Sequence, residues 1–122
     1  MTRIAALLLG AIAVLWLSAP ARALEVRAAV LRVDTPTLAP ISRLDAVPDD
    51  LGFAGAALAD QDNATTGQFL GQTYETRTLA VTREEADAAL DGLLAEGIRL
   101  IVVLAGQEDL LRLADRAGTD AL

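Results

Sequence analysis

Residues 98–104 read IRLIVVL, a run of leucine and β-branched side chains interrupted only by Arg99. A strand without polar alternation is the kind a parallel sheet covers on both faces. A helix signal comes directly before it. Thr82-Arg83-Glu84-Glu85 has the capping-box form, with Thr82 at the N-cap and Glu85 three residues on. Ala86, Ala89, Leu90, Leu93 and Leu94 then recur at helical spacing, and Gly97 stops the helix in the left-handed region. A helix that feeds straight into such a strand is half of a crossover unit, and crossovers join parallel strands. This one feature confines the chain to the α/β class.

The remaining elements follow the same alternation. Residues 25–33 predict strand one, and residues 34–48, with Pro36, Pro40 and Pro48, predict a long loop. Asp49 or Asp50 then caps a helix that runs to about Asn63 and ends at Thr65-Thr66-Gly67. Gly52 and Gly55 weaken this helix but allow close approach to a neighbour. Residues 72–81, polar and threonine-rich, predict strand two at a sheet edge. After the turn Ala105-Gly106-Gln107, a third helix begins at Glu108 or Asp109 and ends at Gly118. The expected fold is a three-layer α/β structure around a parallel sheet of order 2-1-3. Its expected core is Val26, Ala28, Val30, Leu58, Leu90, Leu93, Ile98, Leu100, Val102 and Val103.

Residues 1–23 form a unit of their own. Arg3 begins it, Ile4 to Leu17 carries no charge, and Ala21-Arg22-Ala23 has the small-x-small form of a signal peptidase site. The apolar run is shorter than the roughly 20 residues of a membrane-spanning helix. The expectation is a signal peptide cleaved after Ala23, a periplasmic location, and one domain from residue 24 to residue 122. With Arg3 and Arg22 in the signal, eight Arg face seventeen carboxylates in the rest, a net charge of −9. That balance argues against nucleic acid as a partner.

The chain has no Cys, no His and no Lys. Disulfides, thiolate metal sites and a lipid anchor on Cys are thereby excluded. The missing His removes the commonest general base, and the missing Lys removes Schiff-base chemistry. After the signal there is one serine, Ser42, without a GxSxG frame, so a small periplasmic hydrolase has no triad to use. Asp60-Gln61-Asp62-Asn63 starts like a calcium loop, but Thr65 and Gly71 stand where glycine and glutamate belong. No catalytic residue, metal ligand or cofactor is expected. Open parallel sheets bind ligands beyond the strand carboxyl ends, where the strand order reverses. Here that is between strands one and three, which makes Thr35, Gly106 and Gln107 the candidate ligand-binding residues. Thr35 offers a hydroxyl, Gln107 an amide, and Gly106 an approach to backbone. A small, polar, neutral or weakly charged solute is the expected ligand, since Glu108 and Asp109 oppose a strong anion.

The segment GFAGAALADQDNATTGQFLGQTYE (52–75) and the later LLAEGI before RLIVVL resemble a type I periplasmic binding protein of ABC transporters. SRLD (42–45), DDLGFAGA (49–56), DQDNATTG (60–67) and FLGQTYE (69–75) look closest to a branch linked to pyrroloquinoline quinone-dependent alcohol oxidation. Many members place a small hydroxyl residue after the third strand, where this chain has Ala105-Gly106-Gln107. The resemblance implies half of the N-terminal lobe of that two-lobed fold, so the chain is expected to be fragmentary. It further implies a secreted, non-enzymatic solute-binding component of an importer, with an ABC permease as partner. A ligand-sensing or accessory periplasmic protein of the same fold is the alternative.

Overall fold

Three strands hydrogen-bond in the order β2-β1-β3, all parallel, and set the frame of the molecule. The computed structural model describes residues 23–122, so the expected signal before Ala23 lies outside the described residues. Strand β1 (Leu24–Asp34) lies in the middle. It pairs along its whole length with β2 (Gln72–Thr82), from Leu24 opposite Gln72 to Asp34 opposite Thr82. On its other side it pairs with β3 (Leu100–Leu104), from Ala28 opposite Leu100 to Arg32 opposite Leu104. The run 98–104 thus forms a strand from Leu100 on, at a sheet edge rather than in the centre. Its β-branched residues are half-buried or exposed there.

The connections are helical. Helix α1 (Phe53–Leu70) links β1 to β2, α2 (Ala86–Ala95) links β2 to β3, and α3 (Gln107–Ala117) follows β3. The α/β class and the strand order 2-1-3 are as the sequence predicts. A single 3-10 turn, Arg43–Asp45, interrupts the proline-rich loop, with the Ser42 hydroxyl accepting from the Leu44 N–H.

Helix α1 departs from expectation at both ends. It starts at Phe53 behind Gly52, not behind Asp49 or Asp50, and no side chain caps it. The Asp50 carbonyl instead accepts from the N–H groups of Phe53 and Ala54. At the far end it runs through Thr65-Thr66-Gly67 to Leu70. The Thr65 hydroxyl bonds back to the Gln61 carbonyl at 3.2 Å, which lets a threonine sit within a helix. Gly67 is buried where a Cβ would come within 2.6 Å of the Gln72 carbonyl oxygen, so glycine lets the helix end fold over the start of β2. Gly71, at φ +65°, closes the helix through its N–H to Gly67 O.

Helix α2 starts later than its signal predicts, with Glu85 rather than Thr82 at the N-cap and no side-chain cap, because the Thr82 hydroxyl donates to Glu85 instead of accepting from a helix N–H. The Glu85 carboxylate accepts from both the N–H and the hydroxyl of Thr82, which draws its pKa below the usual carboxylate value. At the C-terminus, Gly97 N–H bonds to Leu94 O and Ile98 N–H to Leu93 O, the double bond of a Schellman motif.

The core lies on one face of the sheet. Ala29, Leu31 and Val33 of β1 pack with Ala86, Leu90 and Leu93 of α2, Ile98, and Leu113 of α3. Of the expected core, Val30, Leu90, Leu93 and Ile98 are buried, whereas Val26, Ala28 and Val103 are half-buried. Leu58, Leu100 and Val102 are exposed and do not belong to it. The reason is the placement of α1, which lies over β2 through contacts that include Asp60 with Thr76. The same face of β3, carrying Leu100 and Val102, is left uncovered among the described residues.

Ion pairs lace the outer layer. Arg116 holds Asp91 across α2 and α3, and Arg112 holds Asp87. Arg77 pairs with Glu96 at the base of the sheet. The Arg116 hydrogen bond lowers the Asp91 pKa and the Arg77 hydrogen bond lowers that of Glu96. None of the described helices is long and apolar enough to cross a membrane.

Candidate functional site

The carboxyl ends of β1 and β3 lie side by side because both strands run the same way and Arg32 pairs with Leu104. Chain leaving β1 goes one way around the sheet and chain leaving β3 goes the other, so a crevice opens between them. The structure has a cavity of 550 Å³ at this place. Its polar lining is Arg32, Asp34, Thr35, Thr37 and Asp49, and its apolar wall includes Leu51 and Leu104. Ala105 and Gly106 form the lip above β3. A second cavity of 380 Å³ adjoins it through Asp34 and Thr35 and reaches Thr82, Arg83 and Glu84 at the end of β2.

One arginine organises the larger cavity. The Arg32 side chain is only 16% exposed, and every polar edge of its guanidinium is used. Its Nε donates to Asp34 Oδ1 at 2.7 Å, and its Nη1 donates to the carbonyls of Asp49 and Leu51 at 2.9 and 3.1 Å. The guanidinium lies 4.7 Å from the centre of the Phe53 ring, a cation–π contact that backs its flat face. Arg32 therefore fastens the long loop to the strand end, and its charge is already matched by Asp34. Loop and strand are close enough for this because of Gly52. It sits at φ +82°, and a Cβ there would collide with the Leu104 side chain.

Of the three residues expected at the site, the structure brings two together. Thr35 lines both cavities, and Gly106 lines the larger one as the N-cap of α3. Gln107 is the first residue of α3, exposed and not part of the lining. Sequence reasoning passed over Arg32, Asp34 and Asp49. The signal for the first two was present: a charged residue two places before an aspartate, in a middle strand, puts both on one face as a pair.

Asp109 also differs from its expected role. It is fully buried in the first turn of α3 and held by Arg83 Nη2 at 2.9 Å and Arg112 Nη2 at 3.1 Å. Asp109, then Glu108, raises the Arg83 pKa further above its ordinary value. Of the two carboxylates expected to repel an anionic ligand, Asp109 is thus ion-paired away from the cavity lining, and Glu108 is exposed beside Arg83 at 3.4 Å. Asp60, which heads the calcium-like segment, accepts from the Thr76 N–H and hydroxyl at 2.8 and 2.6 Å and ties α1 to β2. No group of side chains suited to hold a metal ion occurs among the described residues.

Chemically, the cavity offers hydroxyls from Thr35 and Thr37, the ion-paired carboxylate of Asp34, the carboxylate of Asp49, backbone at Gly106 and an apolar wall. These groups suit hydrogen bonding to a solute with both polar and apolar parts. No family model, curated protein or solved structure matches the chain.

Proposed function

We propose that the chain is a solute-binding module whose ligand site is the 550 Å³ cavity at the ends of β1 and β3. One observation carries the reading. At the strand-order reversal of an open parallel sheet, where ligands of such sheets bind, a cavity joins hydrogen-bonding groups to an apolar wall. With Arg32 and Asp34 satisfying each other, the charge left in the lining is the exposed Asp49 carboxylate, which disfavours an anion. That favours a small, polar, neutral or weakly charged solute.

The resemblance of residues 42–75 and 93–104 to type I periplasmic binding proteins supports the wider proposal. The chain would be exported to the periplasm, contribute part of an N-terminal lobe, and serve an ABC permease. A link to a quinoprotein alcohol oxidation system belongs to the same proposal. The proposed role is binding rather than catalysis, in line with a chain that has no His, Cys or Lys.

The test is a thermal-shift screen of small neutral polyols, alcohols and amides, followed by calorimetry on any that stabilise the protein. Thr35→Ala should weaken binding about fivefold to tenfold, the worth of one hydrogen bond. Gln107→Ala should leave it unchanged. Binding that ignores Thr35→Ala and Gly106→Val would overturn the site.

A further inference from the structure

The crevice at the strand ends has two arms. Because β1 is the middle strand, its end touches both neighbours, with Asp34 opposite Thr82 of β2 and Arg32 opposite Leu104 of β3. The 550 Å³ cavity lies on the β3 side and the 380 Å³ cavity on the β2 side, and both are lined by Asp34 and Thr35. Each volume is within the range of small-molecule pockets. A solute of two such parts, joined at Thr35, fills both.

The polar groups of the second arm have fixed senses. The Thr82 hydroxyl gives its proton to Glu85 at 3.1 Å, so toward the cavity it accepts. Glu84 is exposed and, when ionised, only accepts, whereas Arg83 only donates. Arg83 is anchored by one edge. Its Nη2 meets the buried Asp109 at 2.9 Å, and Arg112 holds Asp109 from the other side. Its contacts to Glu108 are long, at 3.4 and 3.5 Å, and its side chain is 47% exposed. The guanidinium is thus held in place by a buried carboxylate and keeps donors for a ligand.

Neither kind of ion suits this arm. With Asp109 and Glu108 beside it, Arg83 has no charge left for an incoming carboxylate, and Arg83 itself opposes an ammonium group at Glu84. A hydroxyl donates and accepts at once, so neighbouring hydroxyls satisfy Arg83, Glu84 and Thr82 together. Pro36 adds an apolar wall for the C–H side of such a group.

We infer that the solute is a neutral, two-part polyhydroxylated molecule that lies across both cavities, and that Arg83 and Glu84 select its far end through vicinal hydroxyls. The inference rests on the solute-binding reading above and names the class of solute.

The test is calorimetry with two neutral polyols, sorbitol with one sugar-sized part and maltitol with two. Maltitol should bind about tenfold more tightly, the worth of one hydrogen bond to a charged group. Arg83→Met keeps the stem and loses the donors, and should bring the ratio of the two affinities close to one. If that variant does not fold, Glu84→Gln, at an exposed position, should lower the ratio about threefold or more. Equal binding of the two polyols to the wild type would overturn the inference. So would a ratio that survives both substitutions, or tighter binding of maltobionate, which carries a carboxylate. Equal binding that Thr35→Ala weakens for both polyols would remove the second arm and leave the solute site between β1 and β3 standing. Absence of binding by either polyol would overturn the inference, and the wider solute screen then decides the site on its own.

Discussion

Two leucine-to-valine-sized positions separate the two faces of the sheet. Leu90 on α2 is 2% exposed within the cluster formed by Leu31, Leu93, Ile98 and Leu113. Val102 on β3 is 59% exposed, on the face that α1 leaves uncovered. Leu90→Ala removes apolar volume from a buried position at the floor of the cleft beside α3 and should cost about 2–5 kcal/mol. Val102→Ala deletes methyl groups that already meet solvent over more than half of their surface. Full burial of valine is worth about 1.5 kcal/mol, so the loss should stay below about 1 kcal/mol. Urea titrations followed by circular dichroism read both, with the m-value as the check that the denatured state is unchanged. Equal losses for the two variants would refute the assignment of the core to the Leu31 face. A larger loss for Val102→Ala would reverse it.

Gly52→Ala should cost about 1–2 kcal/mol, chiefly from a left-handed alanine with the end of the Leu104 side chain turning aside, and urea midpoints measure it. Arg32→Met keeps the packing against Phe53 but frees the Asp49 and Leu51 carbonyls. It should lower stability by about 1–3 kcal/mol and speed amide exchange in residues 35–52. Glu85, Asp91 and Glu96 have folded-state pKa values below their unfolded ones, so their contribution is present above the unfolded value and lost as pH falls through the folded one. The urea midpoint should therefore be level from pH 7 down to about 5 and fall below about pH 4. A midpoint that rises on acidification would contradict these pairings.

How much of this was legible in the sequence differs from element to element. Gly97 and the run from Ile98 specified helix, turn and strand because local capping and β-propensity agree there. Helix α1 runs past its predicted end because Thr65-Thr66-Gly67 is a poor helical sequence only in isolation. Its continuation rests on a back-bond to Gln61 and on the close packing of Gly67 against Gln72, neither of which is local propensity. Much of the core lies on the other face of β1 from the one expected, because residues 26–33 are apolar at both parities except at Arg27 and Arg32. Only the lateral position of α1, over β2, decides which parity is deeply covered. The cavity at the ends of β1 and β3 was legible in outline from strand order, and Thr35 and Gly106 of the three expected residues line it. Arg32 and Asp49 escaped because their meeting depends on how the loop after Pro48 folds back over the strand end.

Solute binding is proposed for the cavity between the ends of β1 and β3. Its most direct test is a chemical-shift map of the labelled protein at saturating concentrations of a neutral solute that stabilises it. The amides of Asp34, Thr35, Thr37, Ala105 and Gly106 should shift together with one dissociation constant, while those around Arg77 and Glu96 at the opposite end of the sheet stay in place. Shifts clustered at that opposite end, with Thr35 and Gly106 unmoved, would contradict it.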